Sequence, residues 1–154
     1  MDLILWRHAE AVDGTPDLER RLTARGVRQA RRAGEWLHER LPNRARILVS
    51  PAVRAQQTAH ELAKLAKRTV RTVDAIAPDV SARDVLDAAN WPRSKVPIVI
   101  VGHQPTLGQV ASLLLAGEVL DWSIRKGAVW WVSSRARDGN DRVLLRAVID
   151  TGFL

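Results

Sequence analysis

The chain contains no cysteine among its 154 residues. This absence excludes disulfide bonds, thiolate metal sites and a thiol nucleophile, and it is consistent with a reducing compartment. Tyrosine is also absent and Phe153 is the only phenylalanine, so stacking on single-stranded nucleic acid would depend on tryptophan. Core packing is the expected role of the four tryptophans in or beside predicted strands or loops: Trp6, Trp91, Trp130 and Trp131.

Long hydrophobic runs are missing as well. The apolar run at the amino terminus ends at Arg7 and is too short for a signal peptide, and no stretch reaches membrane-spanning length. We therefore expect a soluble, cytoplasmic protein without a membrane partner. Hydrophobic residues still make up 46% of the sequence, which is enough for one core. With no repeat or linker to divide it, the chain is predicted to form a single domain over residues 1–154.

Acidic residues are fewer than basic ones, 17 against 24, which gives a net charge of +7. Such a balance favours an acidic partner, and its sign alone does not choose among nucleic acid, a phosphorylated small molecule and an acidic protein surface. Much of the excess lies in the segment RGVRQARRAGEW, where a solvated helix face is the expected explanation for Arg25, Arg28, Arg31 and Arg32. No nucleic-acid-binding motif stands out, so we expect no nucleic-acid partner.

Strand and helix patterns alternate along the chain. Six strands are predicted in the segments DLILW, ARILVS, TVRTVD, VPIVIVGH, AVWWVS and RVLLRAVI. Helices are predicted from about Thr23 to Leu41, from Pro51 to about Lys67, over SARDVLDAA, and from near Pro105 onward. This alternation predicts a three-layer α/β/α sandwich whose mostly parallel sheet is made mixed by a closing hairpin, with the turn in RDGND.

Three helix starts carry capping signals. Ser50 is predicted as an N-cap with Pro51 at the first helical position, and Ser81 as the cap of the short helix. Thr106 and Gln109 have the spacing of a capping box.

Polar residues of related kinds follow three of the strands. The first strand ends in Arg7 and His8, the second leads through Ser50 to Arg54, and the fourth ends in His103. The carboxyl ends of parallel strands meet at one edge of a sheet, so these side chains are expected to converge. Two imidazoles and two guanidiniums in one crevice would repel one another without an anion, which indicates a phosphate pocket.

Four segments in this order carry a family resemblance: LWRHAE, RRLTARGVRQA, VSPAVRAQQTA and IVIVGHQPTLG. They resemble the signature segments of the histidine phosphatase superfamily, which has the phosphoglycerate mutase-like fold. Their order and spacing are similar to those of the small phosphohistidine phosphatases of the SixA type. The resemblance runs over nearly the whole chain.

The resemblance implies roles residue by residue. The histidine of the first motif is the nucleophile in this family, which makes His8 the nucleophile here. Arg7, Arg54 and His103 would bind the phosphoryl group. Arg21 matches, less securely, an arginine at the pocket edge, and we place Glu10 with it among the substrate-binding residues. No cofactor and no metal are implied, and the partner would be a phosphorylated protein or a small phosphorylated substrate.

The chemistry of these residue types agrees with such roles. A nucleophilic imidazole must be neutral, and the neighbouring charges of Arg7 and Arg54 are expected to lower the pKa of His8. Guanidinium forks suit the charge that spreads over the phosphoryl oxygens during attack. A phosphorylated His8 would form and water would then cleave it.

The sequence departs from the family pattern in two places. Ala9 stands where most relatives have glycine, so the turn after His8 is expected not to need a positive φ. The region between Arg54 and His103 is too short for the inserted cap that supplies a general acid in larger members. Glu10, Asp79 and Asp84 remain as candidate acids, and the sequence does not choose among them. An open pocket with a weak acid favours phosphohistidine, because imidazole leaves more easily than an alkoxide.

Other interpretations compete with this one. His38 and His60 lie in predicted helices among charged residues and are expected to be exposed. Metal binding at His8 and Glu10 is opposed by the adjacent arginines. A phosphatase of small phosphomonoesters on the same fold, or a module that binds phosphate without cleaving it, would use the same cations.

Overall fold

The computed structural model describes residues 1–137 and 140–154. The strands are β1 Asp2–Arg7, β2 Arg46–Val49, β3 Val70–Thr72, β4 Ile98–Gly102, β5 Val129–Arg137 and β6 Asn140–Ile149. The helices are α1 Ala24–His38, α2 Val53–Ala66, α3 Ala82–Ala88 and α4 Thr106–Ala116. Short 3-10 turns lie at Asp17–Glu19, Asp74–Ile76 and Thr151–Phe153. The predicted turn in RDGND centres on positions 138 and 139, which lie outside the described residues.

The six strands form one mixed sheet in the order β3-β2-β4-β1-β5-β6. The first four strands of this order run parallel to one another. Strand β5 pairs antiparallel with β1, and β6 pairs antiparallel with β5. This arrangement confirms the predicted mostly parallel sheet closed by a hairpin.

Helices cover both faces of the sheet, as the strand patterns require. Alternate residues of β1 point to opposite sides: Ile4 and Trp6 pack in a core with α1 and α2, and Leu3 and Leu5 pack in a second core with α3 and α4. Every residue of β4 is buried, as expected of a central parallel strand. The molecule is therefore the predicted three-layer α/β/α sandwich.

The tryptophans predicted to pack in the core do so to different degrees. Trp6 and Trp131 are buried, and Trp91 and Trp130 are partly buried against the second core. None of these four rings is left fully exposed to stack on a ligand.

Two predicted helix caps were wrong, and one was right. Helix α2 begins at Val53, so its N-cap is Ala52, which has no side chain able to cap, and Ser50 lies two residues too early for that role. Helix α4 has no capping box, since Thr106 donates its hydroxyl to Val80 O instead. At α3 the capping box is formed, by Ser81 with Asp84.

The helix and strand ends differ by a few residues from those predicted. Helix α1 ends at His38, three residues before Leu41, although the Leu41 N–H still bonds the Leu37 carbonyl. Strand β3 keeps only three residues of its segment, and β5 and β6 are longer than their apolar patterns. These changes leave the topology as predicted.

The segment between α2 and β4 contains one short α-helix and no larger inserted unit. Residues 67–97, all of them described, supply β3, the Asp74–Ile76 turn and α3, which packs beside α4. No helix in the described part of the chain is long and apolar enough to cross a bilayer.

Candidate active site

Neighbouring strands bring two imidazoles together at one edge of the sheet. In the register of β1 with β4, Arg7 is opposite Gly102, so His8 and His103 leave the sheet side by side. Their ring centroids are 5.1 Å apart, and the His8 N–H donates to Gly102 O at 3.0 Å. Both side chains are buried.

The His8 ring has a defined tautomer. Its Nδ1 is 2.8 Å from Ala9 O, and a carbonyl only accepts, so Nδ1 carries the proton. This leaves the lone pair on Nε2. The turn that holds the ring is fixed by Thr58, whose hydroxyl accepts from the Ala9 N–H at 3.0 Å and donates to Arg54 O at 2.7 Å. Non-glycine residues of the described chain with positive φ are Lys67, Asp79 and Asn90, so Ala9 fits this turn as expected.

The pKa of His8 is lowered to about 4, chiefly by burial; the bond to Ala9 O raises it, and the charges of Arg54, Arg7 and Arg20 lower it. The sequence predicted this direction but assigned it to the arginines. Desolvation is the larger cause, because the His8 side chain is buried. The imidazole is neutral at pH 7.

Arg54 joins the parts of the site. It lies in the first turn of α2 and is 4% exposed. Its Nε donates to His8 Nε2 at 3.3 Å, and its Nη2 lies 3.4 Å from His103 Nδ1. The outer face of the guanidinium binds Asp17, through the backbone carbonyl at 2.7 Å and the carboxylate at 3.1 Å.

His103 is held from behind by Ser50. A guanidinium only donates, so the contact with Arg54 makes Nδ1 an acceptor and places the ring proton on Nε2. That proton is donated to Ser50 Oγ at 2.7 Å, and the same oxygen accepts from the Ala52 N–H. Burial, with the charges of His8 and Arg54, lowers the pKa of His103 to about 3. Because a hydroxyl both donates and accepts, Ser50 can support either tautomer of this ring.

Arg7 reaches the site from the last position of β1. Its Nη1 donates to Ile124 O at 2.8 Å, while its Nε is buried and has no hydrogen-bond partner among the described residues. The four side chains predicted to converge, those of Arg7, His8, Arg54 and His103, therefore do lie at one edge of the sheet.

Sequence reasoning missed Asp17, which supplies an anion from within the chain. Hydrogen bonds from Arg20 and Arg54 hold the pKa of its carboxyl below the ordinary value. Asp17 lies in an exposed loop without hydrophobic periodicity, so no pattern pointed to it. The excess of cations predicted at the strand ends could have indicated that the chain supplies an anion nearby, because a buried guanidinium such as that of Arg54 needs a hydrogen-bond acceptor.

The arginine beside the site is Arg20, and its neighbour Arg21 is exposed. Arg20 donates to Val12 O at 2.7 Å and to Asp17 at 3.0 Å, and its charge acts on His8. No hydrogen bond from the Arg21 side chain occurs within the described residues. The structure thus brings Arg20, and not Arg21, to the pocket edge.

The three candidate acids lie in different places. Glu10 accepts from the Thr23 hydroxyl at 2.8 Å and pairs with Arg25 at 3.5 Å. Asp84 is occupied by the Ser81 cap, which lowers its pKa, and Asp79 is exposed. None of the three hydrogen-bonds His8 or His103.

The remaining histidines agree with expectation, since His38 and His60 are both exposed. Within residues 1–137 and 140–154, no group of three or more histidine, aspartate or glutamate residues is arranged to hold a metal ion.

Comparison with known proteins identifies relatives of this chain. Residues 3–77 match the family described as the histidine phosphatase superfamily (branch 1). A phosphohistidine phosphatase SixA homolog from Haemophilus influenzae is 32% identical over 126 residues, which cover 74% of this chain and 77% of that protein. An uncharacterized protein from Mycobacterium tuberculosis is 33% identical over 111 residues, 70% of this chain and 68% of that protein. The solved structure of the protein histidine phosphatase SixA complexed with tungstate has the same fold, with a TM-score of 0.81 at 22% identity over 99% of each chain.

Proposed function

This chain belongs to the histidine phosphatase superfamily, and from that membership we propose that it hydrolyses phosphohistidine through a covalent phosphate on His8. The observation that carries the proposal is the arrangement of three buried side chains. A neutral His8 Nε2 lies 3.3 Å from Arg54 Nε, with the His103 ring centroid 5.1 Å from that of His8. A nucleophile, a guanidinium for phosphoryl oxygens and a second imidazole are thus held in one place.

The first step is attack by His8 Nε2 on phosphorus. A bond forms between Nε2 and phosphorus as the bond from phosphorus to the substrate nitrogen breaks, and the leaving imidazole takes a proton from water. Arg54 turns its Nε–H from His8 to a phosphoryl oxygen, and Arg7 supplies its unpartnered Nε–H. His103 donates from Nδ1 in its other tautomer, in which the ring has lost its Nε2 proton to solvent and gained one from solvent at Nδ1, while the Ser50 hydroxyl turns to donate to Nε2.

The second step returns the enzyme to its starting state. Water attacks the phosphorus of phosphorylated His8, the bond to Nε2 breaks, and inorganic phosphate leaves; the proton that the attacking water loses neutralises the hydroxide left by the first step. The bond from Nδ1 to Ala9 O keeps the proton on Nδ1, so Nε2 leaves as a neutral nitrogen.

The surroundings support a nitrogen leaving group over an alkoxide. Asp17 is the carboxylate joined to the site, and its lowered pKa keeps it ionised at pH 7, when it has no proton to give. An alkoxide needs such a proton, whereas imidazole is protonated readily near neutral pH. Residues 67–97 also add only one short α-helix, α3, which packs beside α4, so the segment holds no large insertion that would exclude a phosphorylated protein.

The test compares substrates and traps the intermediate. Labelled phosphohistidine protein, phosphoramidate and p-nitrophenyl phosphate are each assayed for kcat/KM in the presence of EDTA, with acid-labile phosphate measured after rapid quenching. We expect label on His8, the highest kcat/KM with the N–P substrates, and no turnover by His8→Ala. His60→Ala, which removes an exposed imidazole of α2, is the matched control and should remain active.

Two results would contradict the proposal. Turnover of the N–P substrates by His8→Ala would remove His8 as the nucleophile. A higher kcat/KM for a phosphomonoester would make the chain a phosphomonoesterase on the same site.

A further inference from the structure

An open groove of about 580 Å³ adjoins the phosphate site. One wall is the face of α1 that carries Arg25, Arg28 and Arg32, and the other is formed by Ser123, Arg125, Lys126 and residues 150–152. Arg7 and Gln29 also line it. We call this feature the basic groove.

The cations of the basic groove outnumber its anions. Arg125 pairs with Asp150 at 2.8 Å, and Arg25 pairs with Glu10 at 3.5 Å. Arg28, Arg32 and Lys126 have no carboxylate within ion-pair distance among the described residues. The groove thus keeps a positive charge after its internal pairs are counted.

Arg7 connects the basic groove to the phosphate site. It precedes His8 at the end of β1 and lines the groove, so an anion held beside His8 lies at one end of the same channel. Along α1, Arg25 and Arg32 are seven residues apart, a rise of roughly 10 Å. That length matches about three residues of extended chain.

The exposure of the groove cations favours a protein over a small molecule as occupant. The side chains of Arg25 and Arg125 are 70% and 80% exposed. Small-molecule sites enclose most of their ligand in largely apolar walls, whereas exposed charges on two walls suit electrostatic docking of a second surface.

We propose that the basic groove binds carboxylate side chains that flank the phosphohistidine of a substrate protein. This inference rests on the proposed function, and it adds a preference for acidic neighbours within about three residues of the phosphorylated position. Arg28 and Arg32 contribute most, because their charges are not neutralised by a neighbour.

Two nonapeptides test the inference. Both carry a central phosphohistidine. The first has glutamate at the two positions before it and the two positions after it, and the second has glutamine at those four positions. Wild type is compared with Arg28→Gln/Arg32→Gln and with the control Arg71→Gln/Arg83→Gln, which removes the same charge from exposed positions on β3 and α3. The measurements are kcat/KM at low and high salt and, separately, binding of the unphosphorylated peptides by fluorescence anisotropy.

In wild type at low salt we expect the glutamate peptide to exceed the glutamine peptide about fivefold in both kcat/KM and affinity, with the difference shrinking as salt rises. The groove variant should lose this difference and the control should keep it, while both hydrolyse phosphoramidate like wild type. Equal behaviour of the two peptides in wild type, or equal losses in both variants, would overturn the inference. Stronger binding of a small bisphosphate than of the glutamate peptide, lost in the groove variant, would also overturn it.

Binding without turnover separates the two proposals. If no peptide is hydrolysed but the glutamate peptide still binds through Arg28 and Arg32, the proposed function is wrong and the proposal for the basic groove stands. If both peptides are hydrolysed alike and bind alike, the proposal for the basic groove is wrong and the proposed function stands.

Discussion

The two buried imidazoles make folding stability sensitive to acid well above the range in which carboxylates titrate. His8 and His103 are neutral in the folded chain at pH 5, because their pKa values are lowered to about 4 and about 3. In the unfolded chain both return toward 6.5 and take up protons. Stability is therefore fully present above pH 6.5 and is lost as the pH falls toward 4.

The size of this loss follows from the proton partition. Each histidine has a pKa of 6.5 in the unfolded chain and of about 4 or lower in the folded chain. At pH 5 its protonation therefore shifts the folding equilibrium toward the unfolded state about 30-fold, which corresponds to about 2 kcal/mol. The two histidines together give about 4 kcal/mol, a large part of the stability of a domain this size. Asp17, Asp84 and Asp150 also have lowered pKa values, and they reduce the stability only at more acidic pH, around and below their ordinary pKa of 3.8.

Urea unfolding followed by tryptophan fluorescence at pH 8 and pH 5, in buffers without phosphate, measures this loss. The variant His8→Asn/His103→Gln keeps amide groups at the hydrogen-bonding positions of Nδ1 and Nε2 and removes both titrations. We expect it to lose little stability between the two pH values, whereas His38→Gln/His60→Gln should behave like wild type. An equal loss in wild type and the active-site double variant would refute the reasoning.

Three further predictions concern the contacts around the imidazoles. Arg54→Lys should lower kcat/KM about 100-fold although the charge is kept, because an ammonium cannot present two fixed, parallel N–H groups to two phosphoryl oxygens; an unchanged kcat/KM would exclude a clamp. Ser50→Ala should lower the unfolding free energy by about 1–3 kcal/mol and change the His103 tautomer seen in ¹⁵N NMR, because the buried Nε2–H loses its acceptor; an unchanged ¹⁵N pattern would contradict this. Asp17→Asn should tighten inhibition by inorganic phosphate about threefold, since an anion that competes for Arg54 becomes neutral; an unchanged inhibition constant would show that the carboxylate does not oppose phosphate.

The parts of the site that strands deliver could be predicted from the sequence, because an apolar run ending in a polar residue fixes where that residue emerges. Arg7, His8 and His103 are of this kind, and Arg54 follows from the start of a helix. The loop between β1 and α1 has no such constraint. Arg20 and Arg21 are adjacent in this loop and are distinguished only by where their side chains point. Arg20 points to the site because it donates to Val12 O and to Asp17, and these contacts form only in the folded chain.

Ser50 shows a different limit of sequence reasoning. A serine before a proline at a helix start is typical of an N-cap, and its hydroxyl does bond a nearby N–H, that of Ala52. Its second partner, His103, is 53 residues away and competes for the same oxygen. Local propensity had no access to that competition, because it arises only when β2 and β4 become neighbours.

The pairing of Arg7 with Gly102 has a consequence for how this molecule could change its substrates. Adjacent strands lie about 4.8 Å apart, and the two rings, one residue beyond that pair, have nearly the same separation of 5.1 Å. The strand pairing thus sets where the two imidazoles start, and Ala9 O and Ser50 fix their rings there. A variant library that keeps residues 8 and 9 and varies the rest of the loop before α1 and the walls beside α1 would alter which molecules arrive while these fixed points stay in place, so recognition and chemistry in this fold can be altered independently.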